Sequence, residues 1–171
     1  MSQQPPIKTR IATISDLPDI LYIINHSITT STSDYRYDTI DITIIHSWYE
    51  ERTKNNEPVL VATIDDRVVG YATYCRFRER IGFQYSVEHS IYCHHDYQGQ
   101  GIGSLLMKEL ILFAKKQNMH TIIACIDSKN TNSIVFHKKH GFLNIGQMKE
   151  IGYKFGEFLD MTLMQLMLNN N

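Results

Sequence analysis

The stretch QGQGIG at residues 98–103 decides the fold, because the sequence on its two sides differs in character. The apolar and aromatic residues 85–93 before it predict a strand. Leucines and isoleucines at helical spacing after it predict an amphipathic helix over 101–117. At a helix N-terminus the first amide groups are unpaired and the helix dipole is positive, so a phosphate fits there. The stretch therefore predicts a strand–loop–helix unit that binds a phosphate-bearing ligand.

Three kinds of anion-binding loop compete for this stretch. A Walker loop ends in Gly-Lys followed by Ser or Thr, and the lysine is missing here. A dinucleotide loop has the pattern G-x-G-x-x-G, and counting from Gly99 places Ser104 where the third glycine belongs. The third kind, Gln/Arg-x-x-Gly-x-Gly/Ala, holds the pyrophosphate of coenzyme A and matches Gln98, Gly101 and Gly103. We predict the coenzyme A loop; the alternative is that the glycines only make a tight turn.

Composition excludes several classes of protein. The chain has 171 residues, with 17 Lys and Arg against 18 Asp and Glu, and this near-neutral balance gives no general attraction to nucleic acid or to an anionic membrane. No apolar run reaches the roughly 20 residues of a membrane helix. We predict one domain over residues 1–171, with 1–6 flexible, no nucleic-acid partner and no membrane partner.

The cysteines and the N-terminus indicate a compartment. Cys75, Cys93 and Cys125 are odd in number and spaced too far apart for a zinc clip or a Cys-x-x-Cys pair. We expect them to be reduced, buried thiols. The polar, proline-containing segment 1–6 does not fit a signal peptide, so we expect a cytoplasmic protein.

Hydrophobic periodicity predicts a mixed α/β domain around one sheet, with the order β-α-α-β-β-β-α-β-α-β-β. The predicted strands are 7–13, 59–64, 68–76, 85–93, 121–126, 143–151 and 161–168. The predicted helices are 17–27, 42–54, 101–117 and 133–140.

Segments along nearly the whole chain are similar to the GCN5-related N-acetyltransferase (GNAT) superfamily, and more closely to its phosphinothricin acetyltransferase group. They are Asn25-His26 with 30–35, 58–62, 70–72, 86–92, 98–103, 130–142, and 152–156 with Asp160. The resemblance implies a single α/β domain with a strongly twisted mixed sheet and flanking helices, in which two central parallel strands splay apart. It also implies a homodimer and acetyl-CoA as co-substrate.

The residues expected to bind the coenzyme come from three segments. They are Ile91, Tyr92, Cys93, Gln98, Gly99, Gln100, Gly101, Ile102, Gly103, Ser104 and Asn130. Residues 91–93 are expected to offer backbone amides to the pantetheine arm and the thioester oxygen. Asn130 matches an asparagine that contacts the coenzyme in the family, and it is equally suited to be the N-cap of the next helix.

Glu88 is the candidate general base. It lies in an otherwise apolar and aromatic strand, where a carboxylate is costly without a partner or a role. Alternation places it with Ser86, Ser90 and Tyr92, a polar set, and this favours the alternative that Glu88 faces solvent. The resemblance assigns the matching glutamate the catalytic role.

His137 is the second catalytic candidate, because the resemblance places it where the wider superfamily has a tyrosine that protonates the leaving sulfur. A packed helix histidine is the alternative. His137 and His140 are three residues apart, but no third metal ligand is near in sequence, so we predict no metal site. Cys93 could in principle carry an acyl group, but neither a base nor a lowered thiol pKa is indicated.

The acceptor side is expected to include an arginine cluster. Arg78 and Arg80, with Phe83, could bind a small anionic acceptor, because arginine grips a carboxylate with two hydrogen bonds. A solvated charged loop is the alternative. In the resemblance Arg80 matches an acceptor-binding arginine, Phe83 replaces a tyrosine, and Tyr35 matches an aromatic wall.

These observations predict an acetyl-CoA-dependent N-acetyltransferase that acetylates the amine of a small amino acid or analogue, of the phosphinothricin or methionine sulfone type, by direct transfer. Two alternatives stay open. One is an enzyme acting on protein N-termini or lysines. The other is an acetyl-CoA sensor without catalysis.

Overall fold

The structure is a computed structural model that describes residues 5–168, so residues 1–4 of the segment predicted to be flexible lie outside it. The strands are β1 Lys8–Ile11, β2 Val59–Ile64, β3 Arg67–Arg76, β4 Ser86–Cys93, β5 Thr121–Asp127, β6 Leu143–Lys154 and β7 Glu157–Met167. The helices are α1 Leu17–Thr30, α2 Ile42–Lys54, α3 Ile102–Lys116 and α4 Thr131–Lys139. The predicted order of strands and helices is confirmed.

The largest boundary differences are in the last two strands, which are longer than predicted. β6 continues past Ile151 to Lys154, and β7 begins at Glu157 rather than at Met161. Phe155 and Gly156 connect them with positive φ angles of 52° and 83°, so they form a tight two-residue hairpin turn. Bulges in β6 break its polar–apolar alternation, which is why the sequence pattern ended too early.

One sheet contains all seven strands in the order β1-β2-β3-β4-β5-β7-β6. In the described part of the chain, only β4 and β5 run parallel, and their pairing is limited to residues 86–88 of β4 and 121–123 of β5. Beyond these residues β4 continues to Cys93 and β5 to Asp127 without pairing to each other. The two central strands therefore separate, as predicted, and leave a gap in the sheet.

Helices cover both faces of the sheet. On the first face, called the coenzyme face below, Leu106 and Leu110 of α3 belong to one apolar cluster, against which Phe136 of α4 packs. On the opposite face, called the acceptor face below, Ile20 and Ile24 of α1 belong to a second cluster, which also includes α2. The gap between β4 and β5 connects the two faces. No helix in the region 5–168 is long and apolar enough to cross a membrane.

Candidate active site

The glycine-rich loop has the geometry of an anion site. Gly99 and Gly101 have φ angles of +77° and +83°, which only glycine adopts without strain. Gly101 is the N-cap of α3, and no side chain caps this helix end. A Cβ atom at either glycine would have no atom within 4 Å, so their conformation and not crowding requires glycine. Open space above an uncapped helix N-terminus fits a pyrophosphate.

A cleft of about 770 Å³ runs from this loop into the gap in the sheet. Every residue expected to bind the coenzyme lines it, except Gln100. The other end of the cleft is lined by Glu88, Cys125 and Asp127, together with the loop 32–35 that follows α1. The structure therefore brings the predicted coenzyme residues, Glu88 and Tyr35 into one continuous cavity.

The backbone of β4 is available to a ligand where the strands separate. β3 pairs with β4 along its length, from Arg76 opposite Val87 to Gly70 opposite Cys93. On its other edge, β4 has no partner beyond Glu88 among the strands of residues 5–168. Alternate backbone groups of the last five β4 residues therefore face the gap, which is the geometry needed to hold an extended pantetheine arm.

Asn130 caps α4 and lines the cleft at the same time. Its side-chain oxygen accepts a hydrogen bond of 3.0 Å from the Ser133 amide. Asn130 is therefore the N-cap of α4, which is one of the two roles that its position in the sequence suggested. The contact with the coenzyme stays a prediction, and the two roles are compatible because the residue lies in the cavity wall.

Glu88 is half-buried in the cleft wall and does not lie on an outer surface. It is close to the thiol of Cys125 across the gap: burial raises the pKa of Cys125 to about 12, and the Glu88 carboxylate contributes to that shift. Its strand neighbours on either side are Cys75 and Ile123. A carboxylate in this position can accept a proton from an amine that enters from the acceptor face.

His137 meets a second buried histidine, His89 of β4. Its Nδ1 lies 2.6 Å from the carbonyl oxygen of Ser133, so Nδ1 carries the proton and donates it. Its Nε2 lies 3.0 Å from Nε2 of His89, which must then be the donor of that bond. Among the described residues, His89 Nδ1 has no partner.

Burial keeps this histidine pair uncharged. It lowers the pKa of His137, and it lowers the pKa of His89 to about 3, with repulsion from His137 as the smaller cause. Both rings are therefore neutral near pH 7. His137 lines the cleft, but its Nε2 is directed at His89 and carries no proton in this arrangement.

The loop after α1 encloses the acceptor end. Thr32 donates a hydrogen bond to Asp127 at the end of β5, and Tyr92 donates one of 3.0 Å to the carbonyl oxygen of Ser33. The Tyr35 hydroxyl is buried and has no hydrogen-bond partner within residues 5–168. Burial, followed by the charge of Asp127, raises the pKa of Tyr35. An unpaired phenol near a buried carboxylate is a natural site for the polar end of a bound molecule.

Arg78, Arg80 and Phe83 do not line this cleft. Together with Glu79 they line a separate surface pocket. The physical reason is that β3 ends at Arg76, and the following turns carry these residues past the edge of the gap. Arg78 is still close enough to Cys125 to lower its pKa slightly. The three predicted acceptor residues thus line a different pocket from Glu88, and their role stays a prediction.

The side chains of His137 and His140 have different hydrogen-bond partners. His137 faces His89, whereas His140 lies 3.1 Å from the Ser104 hydroxyl. Among the described residues, one group, His94, His95 and Asp96, has candidate ligand atoms within 4.8 Å of one another. The rings of His94 and His95 are stacked, with 16° between their planes.

Comparison with known protein families identifies the family of this chain. A family described as "Acetyltransferase (GNAT) domain" matches residues 9–163. The chain belongs to the GNAT acetyltransferase family. The glycine loop, the splayed strands and the cleft between them fit acetyl-CoA, which this acetyltransferase therefore uses as its co-substrate.

Several characterised proteins are similar to this acetyltransferase over nearly its full length. It is 39% identical over 161 residues to the L-methionine sulfoximine/L-methionine sulfone acetyltransferase of Pseudomonas aeruginosa, covering 94% of each chain. It is 34% identical to the phosphinothricin N-acetyltransferase of Alcaligenes faecalis, covering 94% of this chain and 82% of that one. A Salmonella typhimurium acetyltransferase solved with acetyl-CoA is 38% identical, with a TM-score of 0.93 over 96% of this chain and 95% of that one.

The cleft also contains residues that the sequence did not predict to be part of the site, among them His89, Cys125 and Asp127. Asp127 directly follows a run of β-branched and small residues, so the abrupt change to a charge at a strand end was the available signal. Cys125 and Asp127 are two residues apart on one strand and so point to the same face. His89 gave no such signal, because its partner lies on a distant helix.

Proposed function

We propose that this acetyltransferase transfers the acetyl group of acetyl-CoA to the amine of a small amino acid or analogue, of the phosphinothricin or methionine sulfone type. The observation that carries the proposal is the position of Glu88, in the gap between the coenzyme loop and an enclosed acceptor end. The activities named for the relatives from Pseudomonas aeruginosa and Alcaligenes faecalis support the same substrate class. Residues 32–35 line the acceptor end of the cleft, where their side chains can contact a small molecule.

The residues of the cleft support direct transfer. The bound thioester supplies an already activated acetyl group. An alkylammonium has a pKa of about 10, so the acceptor arrives protonated at pH 7 and needs a base. Glu88 takes this proton, directly or through water, and the amine then attacks from the acceptor face. Burial raises the pKa of Cys93 to about 11, which disfavours a cysteine nucleophile.

His137 acts at the opposite, coenzyme face of the gap. We assign it to assist at the leaving sulfur. Its Nε2 is bound to His89 and has no proton, so this assistance requires Nε2 to exchange its partner. It must then take up the second proton, which the nitrogen releases after its attack, and pass that proton to the leaving thiolate as the thioester C–S bond breaks. Because burial lowers the pKa of His137, a proton placed there is released readily.

The quaternary structure we propose is a homodimer formed through the β6–β7 hairpin. This hairpin carries many exposed large apolar side chains, an arrangement typical of an interaction surface. They are Leu143, Ile145, Met148, Ile151, Tyr153, Phe155, Phe158 and Met167. We also propose a cytoplasmic location, supported by three free cysteines.

The test is thiol release from acetyl-CoA with a panel of amines. We expect release with free amino acids and their sulfone, sulfoximine or phosphinic analogues, and much slower release with the corresponding C-terminal amides and with peptides. Faster transfer to peptides or lysine side chains would favour the protein-modifying alternative. Binding of acetyl-CoA by calorimetry without release for any amine would favour the sensor.

A further inference from the structure

Lys154, the last residue of β6, is a buried lysine that the chemistry above does not use. Its side chain is 1% exposed. Its Nζ donates hydrogen bonds to the carbonyl oxygens of Ile28 at 2.7 Å, Ser31 at 2.8 Å and Asp34. A buried ammonium is expensive, so three well-placed acceptors are needed to hold it there.

The three carbonyl groups belong to the end of α1 and to the loop that forms the acceptor wall. The last carbonyls of a helix have no partner within the helix, and a lysine is a suitable donor to them. The Asp34 carboxylate is paired with Arg36 instead, so Lys154 contacts this loop through backbone oxygens. Burial lowers the pKa of Lys154, in agreement with an ammonium surrounded by protein.

Two neighbours of Lys154 bind the same loop. The Tyr37 hydroxyl donates a hydrogen bond of 2.5 Å to the carbonyl oxygen of Tyr153. Gly152 lies against the ring of Tyr35, and a Cβ atom there would come within 2.8 Å of that ring. Residues 152–154 thus form a continuous support behind the wall of the acceptor end.

We propose that Lys154 is a positioning residue for acceptor recognition, which fixes the backbone of residues 31–35 so that Tyr35 and its neighbours face the acceptor. The inference rests on the proposed function, because it assumes that the acceptor occupies this end of the cleft. A wall that is already ordered costs less conformational entropy when the acceptor binds. Within residues 5–168 the hydrogen bonds of Lys154 go to α1 and the loop after it and not to the coenzyme loop, so we expect coenzyme binding to be independent of Lys154.

The first test replaces the lysine with a neutral chain of similar length, Lys154→Met. Loss of hydrogen bonds to a charged group changes an equilibrium constant by about 10- to 100-fold. We therefore expect KM for the acceptor to rise by about that factor. We expect the Kd for acetyl-CoA to change less than about twofold. The matched control is Lys149→Met on the same strand, where the lysine is exposed, and it should leave both constants unchanged.

A second variant does not risk the fold. Tyr37 is exposed, so Tyr37→Phe removes only the hydroxyl that holds the loop to Tyr153. We expect KM for the acceptor to rise about 3- to 10-fold, since one hydrogen bond is lost. Lys154→Arg, which keeps the charge, should recover part of the loss seen with Lys154→Met.

Amide hydrogen exchange provides a readout that does not need activity. In Lys154→Met, residues 31–35 should exchange faster while the amides of α3 keep their wild-type rates. The positioning role would be overturned if residues 31–35 exchanged at the wild-type rate in Lys154→Met. It would also be overturned if KM for the acceptor and the Kd for acetyl-CoA rose by the same factor. If the wild-type chain acetylates no small amine, the proposed function fails, and the exchange experiment still decides whether Lys154 orders the loop.

Discussion

At the coenzyme end of the cleft the phosphate-binding loop is built from consecutive residues, 98–104 and the helix that they begin, whereas the acceptor end collects side chains from three distant segments, namely residues 32–35, β4 and β5. The coenzyme end depends on backbone conformation: two glycines with positive φ and a free helix N-terminus. The acceptor end depends on long-range contacts, such as the one between Thr32 and Asp127, which are 95 residues apart.

This difference distinguishes the part of the site that depends on common backbone geometry from the part that depends on particular side chains. A pyrophosphate is recognised by backbone amides, which any sequence with the right turn supplies. An acceptor is recognised by side chains held in a particular arrangement, and this arrangement changes with the loops that carry it. Substitutions at the two ends should therefore affect different constants.

Glu88→Gln should give the largest effect and should separate chemistry from coenzyme binding. Loss of the base should reduce kcat by about 10²- to 10⁴-fold, with little change in the Kd for acetyl-CoA. Steady-state kinetics and calorimetry measure the two quantities. Glu109→Gln, at an exposed position of α3, is the matched control. Turnover at the wild-type level in Glu88→Gln would contradict the role of Glu88 as base.

The histidine pair should make the coenzyme face sensitive to acid. A histidine whose pKa is lowered by folding binds fewer protons in the folded state, so it contributes stability above its unfolded pKa of about 6.5. This stability is lost as the pH falls toward the folded pKa of His89, which is about 3. We expect the free energy of unfolding to fall by about 1.4 kcal/mol per pH unit for this residue.

Denaturant titrations between pH 7 and pH 4 measure this slope. His89→Gln keeps a donor for His137 and removes the titrating group, so its slope should be shallower than that of the wild type. His120→Gln, at an exposed site, should leave the slope unchanged. Equal slopes in His89→Gln and the wild type would show that the titration of His89 does not contribute to the acid sensitivity.

Gly101→Ala tests the coenzyme end alone. Forcing a side chain into the left-handed conformation costs about 1–2 kcal/mol, so the Kd for acetyl-CoA should rise by about 10-fold. The Kd is measured by calorimetry, and KM for the acceptor at saturating acetyl-CoA should not change. Gly146→Ala is the control, because its Cβ also meets no atom within 4 Å and its φ is not positive. If Gly101→Ala raised KM for the acceptor and left the Kd for acetyl-CoA unchanged, the two ends of the cleft would not have the separate roles proposed here.

Asn130→Ala should have the smallest effect and should separate the two roles of Asn130. Loss of an N-cap costs about 1 kcal/mol of stability. Asp41→Ala removes the N-cap of α2, outside the cleft, and should cost about the same amount. Thermal unfolding with and without acetyl-CoA distinguishes the two variants. Relative to the wild type, only Asn130→Ala should lose more stability in the presence of acetyl-CoA than in its absence. The same loss for both variants would leave Asn130 as a cap alone.

The accuracy of the sequence predictions follows the same division. Residues 98–103, the splayed pair β4 and β5, and the position of Glu88 in the cleft followed from periodicity, turn chemistry and the family resemblance. The pairing of His89 with His137 could not be predicted, because 48 residues separate them. Arg78 and Arg80 were expected near the acceptor, but the turn after β3 places them in another pocket.

The sequence by itself determined the order of strands and helices and the coenzyme loop, because both depend on neighbouring residues: alternation, helical spacing and glycines that allow positive φ. Only the tertiary structure decided which side chains meet at the acceptor end. Lys154 contacts the carbonyl group of a residue 126 positions earlier in the chain. Such a contact exists because the sheet order places β6 beside β7 and the hairpin beneath the loop after α1, and no local pattern in the sequence encodes that packing.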